Sequence, residues 1–169
     1  MIKLTYSRLV GGIGNMVKNY TIKDHLVSEA DFRELSGKAS LNENDGMIYI
    51  LPEFTDGKDI INEFAFDLNR FAKSEDIPCT MVYDKDNFEY LASRDFDILL
   101  PFIISLSASA CYDLMKYFVK KYFSDKKKVN VRMIIKKKKD TSYRKIQISG
   151  DAEGVICALD ILKEEEKEI

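Results

Sequence analysis

The sequence predicts an α+β fold: a mixed sheet of about five to six strands packed on a long central helix and two or three further helices. Three stretches predict it. Asp97 to Lys127 (DILLPFIISLSASACYDLMKYFVKKYFSDKK) repeats Ile103, Leu106, Ala110, Leu114, Phe118 and Tyr122 at helical spacing. Met47 to Tyr83 reads as strand, helix and strand, the usual way to join parallel strands. Val129 to Ile148 holds two alternating apolar stretches about a polar linker, the pattern of a β-hairpin. A chain of 169 residues fits one domain over 1–169, with sub-units at 1–46, 47–96 and 97–169.

Taken in order, Ile2 to Val10 alternates polar and apolar residues as a half-buried strand does. Gly11, Gly12, Gly14 and Asn15 mark a turn, and Met16 to Ile22 pairs back as a second strand. Ser28 caps a short helix from Glu29 to Leu35, which Gly37 ends. Lys38 to Gly46 is a polar loop, and the apolar run Met47 to Leu51 is a buried strand. A helix follows from Gly57 to Lys73, with Asp56 as its cap, Asp59 at its positive end and Ile60, Ile61, Phe64, Leu68 and Phe71 inward. Cys79 to Tyr83 is a strand behind Pro78. Within Asp84 to Asp97, Asn87 can cap a short helix carrying Phe88 and Leu91.

The central helix then starts near Leu99 or Leu100, with Pro101 in its first turn. Ser105, Ser107 and Ser109 are small enough to let neighbours approach. Its C-terminal half is amphipathic, with Lys116, Lys120 and Lys121 facing water. Val129, Val131, Met133 and Ile135 form one hairpin strand, and Ile146 and Ile148 belong to the other. The last helix runs from Asp151 to Glu165, with Val155, Ala158, Leu159 and Leu162 inward, and ends in a solvated acidic tail, EEEKE.

Hydrophobic content of 46% and charged content of 32% mark a globular protein, not a disordered one. The start, MIKLTYSRL, lacks the apolar core of a signal peptide. The uncharged run from Ile98 to Tyr112 is the one candidate for membrane insertion, yet a bilayer needs about 20 apolar residues. The expectation is a cytoplasmic protein without a membrane partner. Cys79, Cys111 and Cys157 are scattered and each set among apolar residues, which predicts free, buried thiols in a reducing compartment. One histidine and no CxxC leave no zinc site, and no cofactor is expected.

Charge is unevenly spread. Net charge is -2, but Lys116 to Lys145 holds 13 of the 26 Lys and Arg residues against Asp125 and Asp140 alone. The chain is a basic segment in an acidic body, which bears on partners more than on fold. Lys126, Lys127 and Lys128 flank the hairpin base. Lys136, Lys137, Lys138, Lys139, Arg144 and Lys145 crowd its tip, where Tyr143 offers a stacking surface. Three uses compete: a solvated sheet edge protected by lysine, a seat for an acidic protein surface, and a phosphate-backbone site. The acidic remainder disfavours a long nucleic acid.

Other motifs have plain structural readings beside functional ones. GGIGN at 11–15 resembles a phosphate loop, but the extended residues after it lack the required helix. Gly150-Asp151-Ala152-Glu153-Gly154 lies between strand and helix, yet its two carboxylates cap that helix and repel phosphate. Asp84 with Asp86, and Asp95 with Asp97, can hold a hard cation if a third oxygen ligand arrives; aspartates also cluster in turns for turn chemistry alone. His25 stands in a polar loop without a coupled nucleophile.

From SLSASACYDLMKYFVKKYF the chain passes to VNVRMII, a hairpin, IQISG and DAEGVICALDIL. This order resembles the C-terminal half of the effector-associated constant component domains, small accessory proteins encoded beside effectors in bacterial conflict systems. The resemblance covers 97–162 and implies a non-enzymatic accessory or regulatory component that binds another protein in a bacterial defence or toxin-related system. Two alternatives stand beside it: a nucleic-acid-binding domain using the hairpin 126–145, and a divalent-metal enzyme using Asp84 and Asp86.

Overall fold

The computed structural model describes residues 3–11, 17–36, 46–55, 57–91, 97–137 and 142–167. Gly12, Gly14, Asn15, Gly37, Asp56 and Asp95, with the turn, cap and ligand roles expected of them, lie outside these residues, as does most of the loop after Gly37. Strands β1 (Lys3–Gly11) and β2 (Val17–Val27) form the expected antiparallel hairpin. Helix α1 (Glu29–Ser36) follows. Ser28 caps it, its Oγ accepting the Asp31 N–H at 3.1 Å. Then come β3 (Ile48–Ile50), β4 (Phe54–Thr55), β5 (Asp59–Asn62), α2 (Ala65–Ser74), β6 (Cys79–Met81), β7 (Phe88–Leu91) and β8 (Ile98–Ser105). The chain finishes with α3 (Ala108–Tyr122), β9 (Lys128–Lys136), β10 (Tyr143–Asp151) and α4 (Ala152–Lys167).

Seven strands form one mixed sheet, in the order β1-β2-β10-β9-β8-β3-β6, and β4, β5 and β7 form a small second sheet. The α+β class stands. The parallel pairing of β3 with β6 is observed, and so is the antiparallel β9–β10 hairpin.

The long central helix is not. Its first half is β8, and α3 begins only at Ala108. Ile98 to Ser105 is apolar on both faces because β8 lies inside the sheet, between β3 and β9. Apolar residues all round were the sign of a central strand, not of a helix buried on every side. Ser105 makes the break: its hydroxyl donates to the Ser107 carbonyl and accepts the Ser107 N–H, both at 3.0 Å.

The predicted helix from Gly57 fails in the same way. Asp59–Asn62 is β5, and Asn62 Oδ1 accepts the Phe64 N–H at 2.9 Å just before α2. The short helix at Phe88 and Leu91 is likewise a strand, β7.

Pro101 interrupts the β8–β9 register between Leu99 and Phe102, because it has no N–H for the ladder. Buried polar groups make good the loss. Asn62 Nδ2 donates to the Leu99 carbonyl at 2.9 Å and Arg132 Nη2 to the Leu100 carbonyl at 3.0 Å. Arg132 also reaches both oxygens of Glu53, at 2.6 and 2.8 Å. Glu53 is only 5% exposed, so removing either partner would strand a buried charge, at about 3–5 kcal/mol.

The main core lies between one sheet face and helices α2, α3 and α4. Val129, Val131, Met133, Ile135, Ile146 and Ile148 meet Cys111, Leu114, Met115, Phe118, Val155, Ala158, Leu159 and Leu162 there. The opposite face carries a smaller cluster of Phe32, Leu51, Ile104 and Ile134, with Tyr143 and Phe102 packed against it. Beyond that cluster the face is polar, with Thr21, Lys23, Asn130, Gln147 and Ser149 lining a shallow cleft.

Candidate functional site

The basic segment becomes two clusters rather than one finger. Lys128 and Lys136 are the ends of the nine-residue β9, roughly 27 Å apart at about 3.4 Å per residue. The hairpin is no edge either. β9 and β10 lie inside the sheet, whose edges are β1 and β6. The protected-edge reading is therefore corrected: these strands have neighbours on both sides, and their lysines guard no free ladder.

At the tip the cations are engaged. Lys137 Nζ lies 3.5 Å from Glu166 Oε1 and 3.8 Å from Asp24 Oδ2, and Arg144 Nη1 lies 3.6 Å from Asp24 Oδ1. Lys136 Nζ stands 5.8 Å from the centre of the Tyr143 ring, and Lys145 Nζ 5.8 Å from that of Phe102. Tyr143 stacks on Phe32 at 3.9 Å. The expectation of a free tip with an open stacking ring is corrected for these residues: the fold pairs them internally. Lys138 and Lys139 lie outside the described residues.

The base is different. The turn from Ser124 to Lys127 closes through the Lys127 N–H to the Ser124 carbonyl at 3.0 Å. Its carbonyls then cap α4: Lys127 O accepts the Ala152 N–H at 2.8 Å, and Asp125 O accepts the Glu153 N–H at 3.5 Å. Main-chain oxygens do the capping expected of the Asp151 and Glu153 carboxylates. With its backbone held against α4, the turn is exposed throughout Ser124–Lys128, and so is the preceding Lys120–Tyr122.

Lys121 sits over the rings of Phe71 and Tyr122, at 5.3 and 5.8 Å. Lys120, Lys126, Lys127 and Lys128 have no ion-pair partner among the described residues. Tyr117 and Tyr122 flank them, each 43% exposed. Asp125 is the one acid within Lys120–Lys128. Lys128 also stands at the rim of an open cleft of about 430 Å³, lined by Asn19, Thr21, Asp97, Asn130 and Asp151.

The remaining candidates resolve into structure. Asp84 Oδ1 accepts the Asp86 N–H at 3.0 Å, and Asp59 Oδ2 accepts the Asp84 N–H at 2.7 Å. Asp84 thus shapes the turn into β7. No group of three metal-ligating side chains occurs among the described residues. His25 is in β2, not in a loop, opposite Lys3 and Lys145. Burial pushes the Cys79 thiol up to about 12, against the weaker opposing pull of Lys73, and pushes Cys111 higher still. Neither is a ready nucleophile at neutral pH. Gly11 ends β1, and the next described residues, from Val17, form a strand.

Asp24 and Glu166 belong to the site and escaped the sequence reading. Asp24 shares the inward parity of Tyr20 and Ile22, a signal that extending the strand past Ile22 would have exposed. Glu166 falls in the acidic run that composition alone marks as a solvated tail. Among the described residues no helix is long and apolar enough to cross a membrane. Comparison of the chain with protein-family models, with curated proteins and with solved structures finds no match.

Proposed function

We propose that the chain is a non-enzymatic accessory component that binds an acidic segment of another protein through the lysines at the end of α3 and in the turn to β9. The observation that carries this reading is the division of the basic segment. Lys137 and Arg144 at the tip face the chain's own Asp24 and Glu166, and Lys136 and Lys145 lie over aromatic rings, while Lys120, Lys126, Lys127 and Lys128 stand exposed and unpaired among the described residues. Cations that the fold leaves unneutralised are available to a partner of opposite charge.

An acidic protein suits this surface better than a nucleic acid. Tyr122 already packs on Phe118 at 4.5 Å and has Lys121 over it, and Lys116 lies 5.9 Å from the Tyr117 ring centre. Those rings are poor platforms for base stacking. A long polyanion would also run past a body with 26 of the chain's 28 acidic residues. The order α3, β9, β10, α4 is that of the accessory domains the sequence resembles, and this supports the role in a bacterial defence or toxin-related system.

The test is fluorescence anisotropy with a labelled glutamate-rich peptide and a 20-nucleotide single strand. The peptide should bind wild type and lose about tenfold in affinity with Lys126→Glu plus Lys127→Glu. Its binding should fade between 0.1 and 1 M salt, as the screening length drops from about 10 Å to about 3 Å. Tighter binding of the oligonucleotide at equal salt would favour the nucleic-acid reading. Binding of neither would reject the surface.

A further inference from the structure

The tip of the β9–β10 hairpin holds a second feature, half-buried and poorly satisfied. The Lys137, Asp24 and Glu166 side chains are only 14%, 14% and 11% exposed, yet their ion pairs span 3.5 and 3.8 Å. Elsewhere the chain closes such pairs tightly: Lys163 to Asp113 at 2.6 Å and Lys116 to Asp160 at 2.7 Å. The Tyr112 hydroxyl is buried and has no hydrogen-bond partner among the described residues. Burial raises its pKa, and the negative charges of Glu166 and Asp24 add to the effect, so the phenol stays protonated and able to donate. Half-buried charges at such distances recover little of their desolvation cost.

The element that delivers Glu166 is weakly anchored. Leu162 is the last buried apolar residue of α4. After it come Lys163, then Glu164, Glu165 and Glu166 in the last turn. Three carboxylates at the negative end of a helix oppose its dipole, offset in part by Lys167, which lies 3.4 Å from Glu164. The turn is tied to the rest of the fold by Lys163–Asp113 and by Glu166–Lys137.

We infer that Lys137, which shares Asp24 with Arg144, forms a second carboxylate-binding subsite, filled here by the chain's own Glu166 and open to an acidic segment of a partner. The last turn of α4 is then a strap with the same chemistry as the ligand it competes with. Displacing it exchanges one carboxylate for another, leaving the charge balance around Asp24 unchanged. Because part of the population is masked, apparent affinity is reduced by the fraction of time the strap is seated. This inference rests on the acidic-partner reading above, but it uses residues at the opposite end of β9.

The glutamate-rich peptide tests it in the full-length chain. Glu166→Gln should tighten peptide binding by about three- to tenfold, and adding Lys137→Gln should cancel the gain. In wild type, the peptide should speed amide hydrogen exchange in residues 164–167 as the strap leaves. Unchanged affinity in Glu166→Gln, with binding still sensitive to Lys126→Glu plus Lys127→Glu, would overturn the subsite and keep the base. Peptide that binds neither wild type nor Glu166→Gln would overturn both.

Discussion

Single residues divide between those tied into the fold and those left over. Cys79 and Cys111 are buried, and burial disfavours their thiolates. Cys157 is only half-buried. Native protein at pH 8 should therefore take up one equivalent of a thiol reagent quickly, at Cys157, and the other two only with unfolding. Peptide mapping after a timed pulse checks it. The Cys79 shift has a pH consequence. Its folded pKa of about 12 lies above the ordinary 9.0, so its contribution to stability is intact below pH 9 and is lost as pH rises from 9 toward 12. The urea midpoint of wild type should fall more between pH 8 and 10 than that of Cys79→Ala. Equal falls would show that the thiol ionises as freely in the folded chain as in the unfolded one. The buried setting of Cys79 and Cys111 was readable from their apolar neighbours in sequence; Cys157, expected to be buried with them, is half-exposed instead. The partners of Lys137 were not, because Asp24 and Glu166 lie far from it along the chain and meet it only through β2 and α4.

At the level of elements, hydrophobic periodicity located most pieces and misjudged two boundaries. Val129 to Met133 alternates, and β9 has that pattern of burial until Met133, Ile134 and Ile135, which are all buried. Ile98 to Tyr122 and Asp59 to Ser74 each join a buried strand directly to a helix. A short apolar run fits either period, so the two elements fused into one long helix in the sequence reading. The serines at 105 and 107 held the punctuation, since hydroxyls that bond to the nearby backbone end strands and start helices. Close packing of elements was equally hidden. GDAEG has the sequence of a helix start, but the role of its glycines is proximity. A Cβ on Gly150 or on Gly154 would stand 2.3 Å from the Asn19 carbonyl oxygen. Gly154→Ala must push α4 off β2 and should cost about 1–3 kcal/mol or more, visible as a lowered urea midpoint. A midpoint equal to wild type would show that the two backbones are not in contact.

For the whole molecule, the class of fold and the uneven charge were visible in the chain, and the direction in which that charge faces was not. A hairpin drawn from sequence alone ends in a free lysine tip. Placed between β2 and β8, the same hairpin sets Lys137 and Arg144 against the chain's own Asp24 and Glu166 and leaves the lysines at its base uncovered. The function proposed follows from that inversion. Lysine acetylation footprinting of the chain, with and without saturating glutamate-rich peptide, tests it most directly, because it reads each amine separately. The expected result is protection of Lys120, Lys126, Lys127 and Lys128, with Lys58 and Lys73 unchanged. Uniform labelling of those four lysines with and without bound peptide, or protection confined to lysines elsewhere, would contradict it.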